Sequence, residues 1–108
     1  MIVSSETENQ PAAALYAVAA ELFFALGDPA RLRLLALLET GECNVSQIAG
    51  ALGEEMSTVS QRLKLLRFHG LVARRRQGKH IYYSLADAHV AGLIRSGLQH
   101  AAEGAAHG

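Results

Sequence analysis

Glycines cut the stretch from Ser46 to Leu85 into two short helical runs and two strand-like runs, and this punctuation restricts the fold more than any other feature of the 108 residues. Ser46 is placed to cap a short helix through Ile48, Ala49 and Leu52 that stops at Gly53. Ser57 can cap a second helix, with Val59, Leu63 and Leu66 turned inward and Ser60, Gln61, Lys64 and Arg67 on its other faces, before Gly70 closes it. Two short helices joined by a tight turn, the second rich in long polar side chains, read as a helix-turn-helix over about 46–70. Leu71 to Arg75 and His80 to Leu85 follow as strands, with Val72, Ile81, Tyr82 and Tyr83 supplying β-branched and aromatic character around a loop of Gln77, Gly78 and Lys79. The pair forms a hairpin, or wing, over 71–85.

The rest of the chain is helical in pattern. Residues 1–10 lack apolar periodicity and read as a disordered lead. Pro11 suits a first helical position, and Leu15, Val18, Ala19, Leu22 and Leu26 follow at helical spacing up to Gly27. Asp28 and Pro29 open a second helix to about Glu39, with Leu32, Leu35, Ala36 and Leu38 inward. Asp87 caps a last helix to about Glu103 with Val90, Leu93, Ile94 and Leu98 as its apolar stripe. The expected architecture is mainly α with a β-hairpin wing, a single domain over 11–104 followed by a flexible tail at 105–108. Half of the residues are apolar, enough for one modest core, so support from a second subunit is expected. No apolar run approaches the roughly 20 residues of a membrane span, and the acidic N-terminus does not resemble a secretory signal, which points to the cytoplasm. The single cysteine, Cys43, rules out a cysteine-rich metal cluster within one chain.

Formal net charge is zero, but it is unevenly distributed. Arg62, Lys64, Arg67, Arg74, Arg75, Arg76 and Lys79, seven of the ten basic residues, lie between Met56 and Ala86 with no acid among them. Solvated charged faces ordinarily mix both signs, whereas a block of one sign makes the local positive surface that a phosphate backbone selects. On the second helix of the pair, Ser57, Thr58, Ser60 and Gln61 are the hydrogen-bonding candidates for base edges. Gln61 can pair bidentately with adenine, and Arg62 can reach guanine or a phosphate. Lys64 and Arg67 suit phosphates. Arg75, Arg76, Gln77 and Lys79 at the wing are expected over the adjacent backbone or minor groove. Val59, Leu63 and Tyr82 read as core.

Three strings, ALGDPARLRLLALL, STVSQRLKLLRFHGLV and RRRQGKHIYYSL, occur in an order and spacing that resemble the ArsR/SmtB family of winged-helix repressors over nearly the whole chain. The resemblance implies a winged helix-turn-helix that pairs as a homodimer through its first and last helices and binds double-stranded operator DNA.

The last helix carries Asp87, His89, His100 and Glu103. His100 and Glu103 sit one turn apart on nearly the same face and can share an ion. His89 and His100 point in similar directions but lie about 16 Å apart along the axis, too far for one metal. An antiparallel copy of the helix brings Asp87 and His89 of one subunit beside His100 and Glu103 of the other, and two-fold symmetry makes two inter-subunit sites. The pattern is similar to the C-terminal-helix site of the zinc-sensing branch of the family. Two imidazoles and two carboxylates suit Zn²⁺ or Co²⁺. His107 would extend the shell toward six-coordinate Ni²⁺ or Co²⁺ if the tail were ordered. The thiol pair of the arsenic and cadmium branch is absent: in ECNVSQIA its positions resemble Asn44 and Ser46, and Cys43 reads as a small packed hydrophobe.

The expectation from these residues is a repressor that binds an inverted repeat as a dimer and is released when a divalent metal, zinc foremost, clamps the last helices. The resemblance implies that a ligating imidazole would be steadied by a carbonyl near Gly70. The alternatives are a nickel or cobalt sensor of the same design, a winged-helix regulator that ignores metal, and a zinc hydrolase. The last of these lacks a cleft and a spare general base.

Overall fold

The structure, a computed structural model, describes the backbone of residues 3–107 and the side chains of residues 12–105. In chain order it comprises α1 (Val3–Leu26), α2 (Pro29–Glu39), α3 (Val45–Leu52), α4 (Met56–Phe68), β1 (Val72–Gln77), β2 (His80–Leu85) and α5 (Ala88–His107). The expected sequence of helices and hairpin is present.

Helix ends depart from expectation where capping depends on pairs of residues. α2 starts as the sequence suggests, with Asp28 accepting from the Arg31 amide at 3.0 Å and Pro29 in the first turn. α3 is capped by Asn44 instead of Ser46. The Asn44 side chain accepts from the Gln47 amide at 2.8 Å, and the Gln47 side chain accepts from the Asn44 amide at 2.9 Å. Ser46 has Ala49 three residues on and cannot make this reciprocal box. Ser57 does not cap α4: the Val59 amide donates to the Glu55 carbonyl at 3.1 Å, so the helix is already under way at Met56 and the exposed Ser57 lies within its first turn. Gly70 (φ 73°) ends α4 in a left-handed turn in which the Leu71 amide reaches Leu66 O at 2.9 Å and the Gly70 amide reaches Arg67 O at 3.0 Å.

Helix α1 begins at Val3, so residues 3–10 are helical where a disordered lead is expected, with Pro11 in the helix interior. Apolar periodicity is not needed for helical backbone, since Glu and Gln are good helix formers. At the other end α5 runs through Gly104 to His107, beyond the expected stop near Glu103. Met1, Ile2 and Gly108 lie outside the described residues, as does the side chain of His107.

The core gathers Leu34, Leu35, Ile48, Val59, Leu63, Leu66 and Leu71, with Val90 and Ile94 of α5 against it. β1 and β2 are antiparallel, pairing Val72 with Leu85 through to Gln77 with His80, and Gly78 (φ 63°) opens the two-residue turn. Cys43 bridges the outer side of β2: its amide donates to Tyr83 O at 3.0 Å, and the Tyr83 amide donates to Cys43 O at 2.8 Å. Tyr83 therefore packs against the core, whereas Tyr82, expected there, sits on the opposite face because successive strand residues alternate. Cys43 is half-buried against the core, as expected of a small hydrophobe.

α1 reaches the core through Leu22, Ala25 and Leu26. Leu15 and Val18, expected inward, are 66% and 63% exposed, and Phe23, Phe24, Leu93 and Leu98 also present apolar surface. Among the described residues no single helix is long and apolar enough to cross a membrane.

Candidate nucleic-acid interface and metal half-sites

Five of the sequence-selected side chains on α4 reach its surface: Ser57, Ser60, Gln61, Lys64 and Arg67 are exposed, and Thr58 is half-buried. Ser60, Lys64 and Arg67 follow one another at steps of four and three, so they line one face. That face looks toward the wing, where Arg74 and Tyr83 complete a polar groove with it.

Strand pairing splits the wing residues into two groups. Arg74 and Arg76 share a face with Tyr83 and Ile81; Arg75 and Gln77 share the other with Tyr82 and His80. Arg74, which the sequence reading counts in the basic block without giving it a DNA contact, therefore belongs with Lys64 and Arg67. The signal for it is period-two alternation: Arg74 and Arg76 lie on one side of a strand, and Arg75 on the other.

Two of the seven cations already have carboxylate partners. Arg62 turns in toward the end of α3, its Nη1 2.5 Å from Glu54 Oε1, with side chains only 24% and 23% exposed. These two atoms are shielded from water and offset from a hydrogen-bond axis, so their attraction is that of an ion pair. Arg75 forks onto Glu42, with Nε 3.0 and 3.1 Å from the two carboxylate oxygens and Nη2 closing on Oε1. The Arg75 guanidinium holds the Glu42 carboxyl below its ordinary value of 4.5, chiefly through this hydrogen bonding. Lys64, Arg67, Arg74, Arg76 and Lys79 have no carboxylate partner among the described residues.

The ligand-type residues of α5 fall into two pairs at its ends. Asp87 stands just before the helix and accepts from the Val90 amide at 3.1 Å through Oδ1, the cap position that the sequence requires of it. His89 Nδ1 lies 3.6 Å from the same oxygen, and its side chain is 95% exposed. Near the far end His100 is exposed, and Glu103 Oε2 accepts from Gln99 Nε2 at 3.3 Å. Among the described residues no three such side chains come together within the chain.

Between these two ends α5 flanks an apolar groove whose walls include Phe23, Leu32, Leu93, Leu98 and Ala101. Arg95 fixes α5 to α2 through Glu39 at 3.1 Å, away from the ligand pairs.

Comparison with known proteins agrees with the fold. A family model described as bacterial regulatory protein, arsR family, matches residues 28–74. The transcriptional repressor SmtB homolog of Synechocystis sp. is 46% identical over 84 residues, which make up 78% of this chain and 64% of that protein; the chain thus spans just under two thirds of this relative. The HTH-type transcriptional regulator NmtR of Mycobacterium tuberculosis is 41% identical over 99 residues, 88% of this chain and 82% of its own. Among solved structures, the homodimeric winged helix-turn-helix DNA-binding domain of a possible ArsR-family transcriptional regulator from Mycobacterium bovis superposes with a TM-score of 0.84 at 38% identity, covering 89% of both chains. The solution structure of apo-NmtR gives a TM-score of 0.65 at 38% identity, over 92% of this chain and 76% of the other. These relatives are regulators rather than enzymes, which removes the hydrolase alternative. The chain belongs to the arsR family of bacterial regulatory proteins.

Proposed function

We propose that this protein is a cytoplasmic transcriptional repressor that binds an inverted-repeat operator as a homodimer and leaves it when a divalent metal, zinc foremost, joins the two α5 helices. The observation that carries the reading is the pair of two-residue donor sets at opposite ends of α5, beside an apolar face that no described residue covers. A second copy running antiparallel supplies both deficits, bringing Asp87 and His89 of one protomer to His100 and Glu103 of the other and burying Phe23, Leu93 and Leu98.

The donors fit the ion. Two imidazoles and two carboxylates make a four-coordinate set for Zn²⁺, and Asp87 keeps Oδ2 for a ligand while Oδ1 caps the helix. Bound metal would supply a cross-link between subunits. The remaining work belongs to the chain: Ser57, Thr58, Ser60 and Gln61 face base edges, while Lys64, Arg67, Arg74, Arg76 and Lys79 hold phosphates. The turn at Gly70 lies between α4 and the wing, so a hydrogen bond to it from a ligating imidazole would join metal to the DNA-reading surface. Metal and DNA then oppose each other by reciprocal linkage. The names of the relatives, a repressor and regulators of the HTH type, accord with this reading.

The test is a titration of the protein on a duplex carrying an inverted repeat, with zinc, nickel or cobalt added. The expected result is loss of DNA affinity on adding zinc, with tetrahedral absorption from the cobalt form. Six-coordinate cobalt absorption would redirect the reading to a nickel or cobalt sensor, and an affinity indifferent to every metal would leave a regulator without metal control.

A further inference from the structure

Seven basic residues cluster between Met56 and Ala86 in sequence, yet Arg75 makes its most extensive contacts on the face of the wing away from α4. Arg75 is the fourth of the six residues in the wing's first strand. Its guanidinium grips both oxygens of Glu42, donates from Nη1 to Gln77 Oε1 at 2.8 Å, and lies 5.2 Å over the ring of Tyr82. Glu42 belongs to the loop between α2 and α3, thirty-three positions earlier in the chain. Beside it Cys43 pairs with Tyr83 and makes a one-residue third strand on the outer side of β2. The contact therefore runs from that loop, across β2, to β1.

This contact braces a weak element. A two-stranded hairpin is marginal by itself in water. Among the described residues the Cys43 bridge is the one strand pairing that supports the β1–β2 ladder, which carries Arg76 and, at its turn, Lys79. Arginine suits the task because its planar fork matches a carboxylate while its flat face stacks on an aromatic ring. The opposite face of the hairpin, with Arg74 and Arg76, is the one turned toward α4.

We propose that Glu42 and Arg75 form a latch that sets the wing's angle against α4, so that Arg75 acts as a positioning residue for DNA binding and not as a phosphate ligand. The inference rests on the DNA-binding reading above. It explains why a block that would gain from unshielded positive charge keeps a carboxylate against one of its arginines.

Two double variants of unchanged net charge test it. E42Q/R75Q removes the latch, and E42R/R75E rebuilds it with the partners exchanged. Each is titrated on a duplex that the full-length wild-type protein selects from a random pool, over a range of salt. The latch predicts about two- to fivefold weaker binding for E42Q/R75Q, the range of a surface ion pair, with recovery in E42R/R75E and an unaltered salt slope in both. Amide exchange in Arg74–Gln77 and His80–Tyr83 should quicken in the first variant and return to wild-type rates in the second. Equal weakening in both doubles, with each salt slope shallower by about two per dimer, would make Arg75 a phosphate ligand and overturn the latch. Wild-type affinity in E42Q/R75Q would overturn it too. Failure of the wild-type protein itself to bind any duplex would instead strike at the DNA-binding reading.

Discussion

Replacing Arg74 by Gln and, separately, Arg62 by Gln separates residues that sequence alone groups together. Arg74 opens onto the groove between α4 and the wing with no carboxylate partner among the described residues, whereas Arg62 is folded onto Glu54. If Lys64, Arg67, Arg74, Arg76 and Lys79 each neutralise one phosphate, a dimer makes up to about ten contacts, and log affinity falls against log salt with a slope near −9. Arg74→Gln removes two contacts per dimer and makes the slope shallower by about 1.8. Over a fourfold rise in salt the wild type then loses about 10⁵-fold in affinity and the variant about 10⁴-fold. Arg62→Gln should leave the slope unchanged and instead cost about 1 kcal/mol of stability, because Glu54 is left partly buried without its partner. Fluorescence anisotropy of a labelled duplex across a salt series reads the slopes, and urea unfolding reads the stability. A slope that falls as much for Arg62→Gln as for Arg74→Gln would refute the division.

Other consequences follow from the same contacts. Leu66→Ala empties a fully buried position that also anchors the turn at Gly70, and should cost about 2–5 kcal/mol in urea unfolding. Phe23→Asp places a charge on the uncovered apolar face and should shift sedimentation toward monomer while leaving the helical circular-dichroism signal intact. The Glu42 carboxyl is held below 4.5 when folded, so its contribution is complete above that value and disappears as pH falls through the lowered one. Carboxyl-carbon NMR should show Glu42 titrating below 4.5, and Arg75→Gln should bring it back up.

Much of the fold was legible because apolar periodicity reports burial directly: Val59, Leu63, Leu66, Val90 and Ile94 are inside as their spacing requires. Helix starts were less legible, since Asn44 outcompetes Ser46 only through its reciprocal bond with Gln47. A single step of strand register decides that Tyr83 packs inward and Tyr82 outward, and residue preference cannot supply that step because both are tyrosines. The ion pairs of Arg62 and Arg75 were hidden for another reason. The acid that meets Arg75 is thirty-three positions away, so a run of like charge in sequence says nothing of its neighbours in space. Leu15 and Val18 obey the helical pattern yet remain exposed, because spacing marks an apolar stripe without saying whether this chain covers it.

If each metal site is shared between protomers, two variants that each fail alone should rescue one another when mixed. His89→Gln and His100→Gln homodimers each lose a ligand from both sites and should bind zinc poorly. A mixed dimer concentrates both lesions in one site and leaves the other whole, so mixing should restore about one tight site per heterodimer. Zinc titration that finds no restored site after subunit exchange, or full binding by either variant alone, would contradict the account.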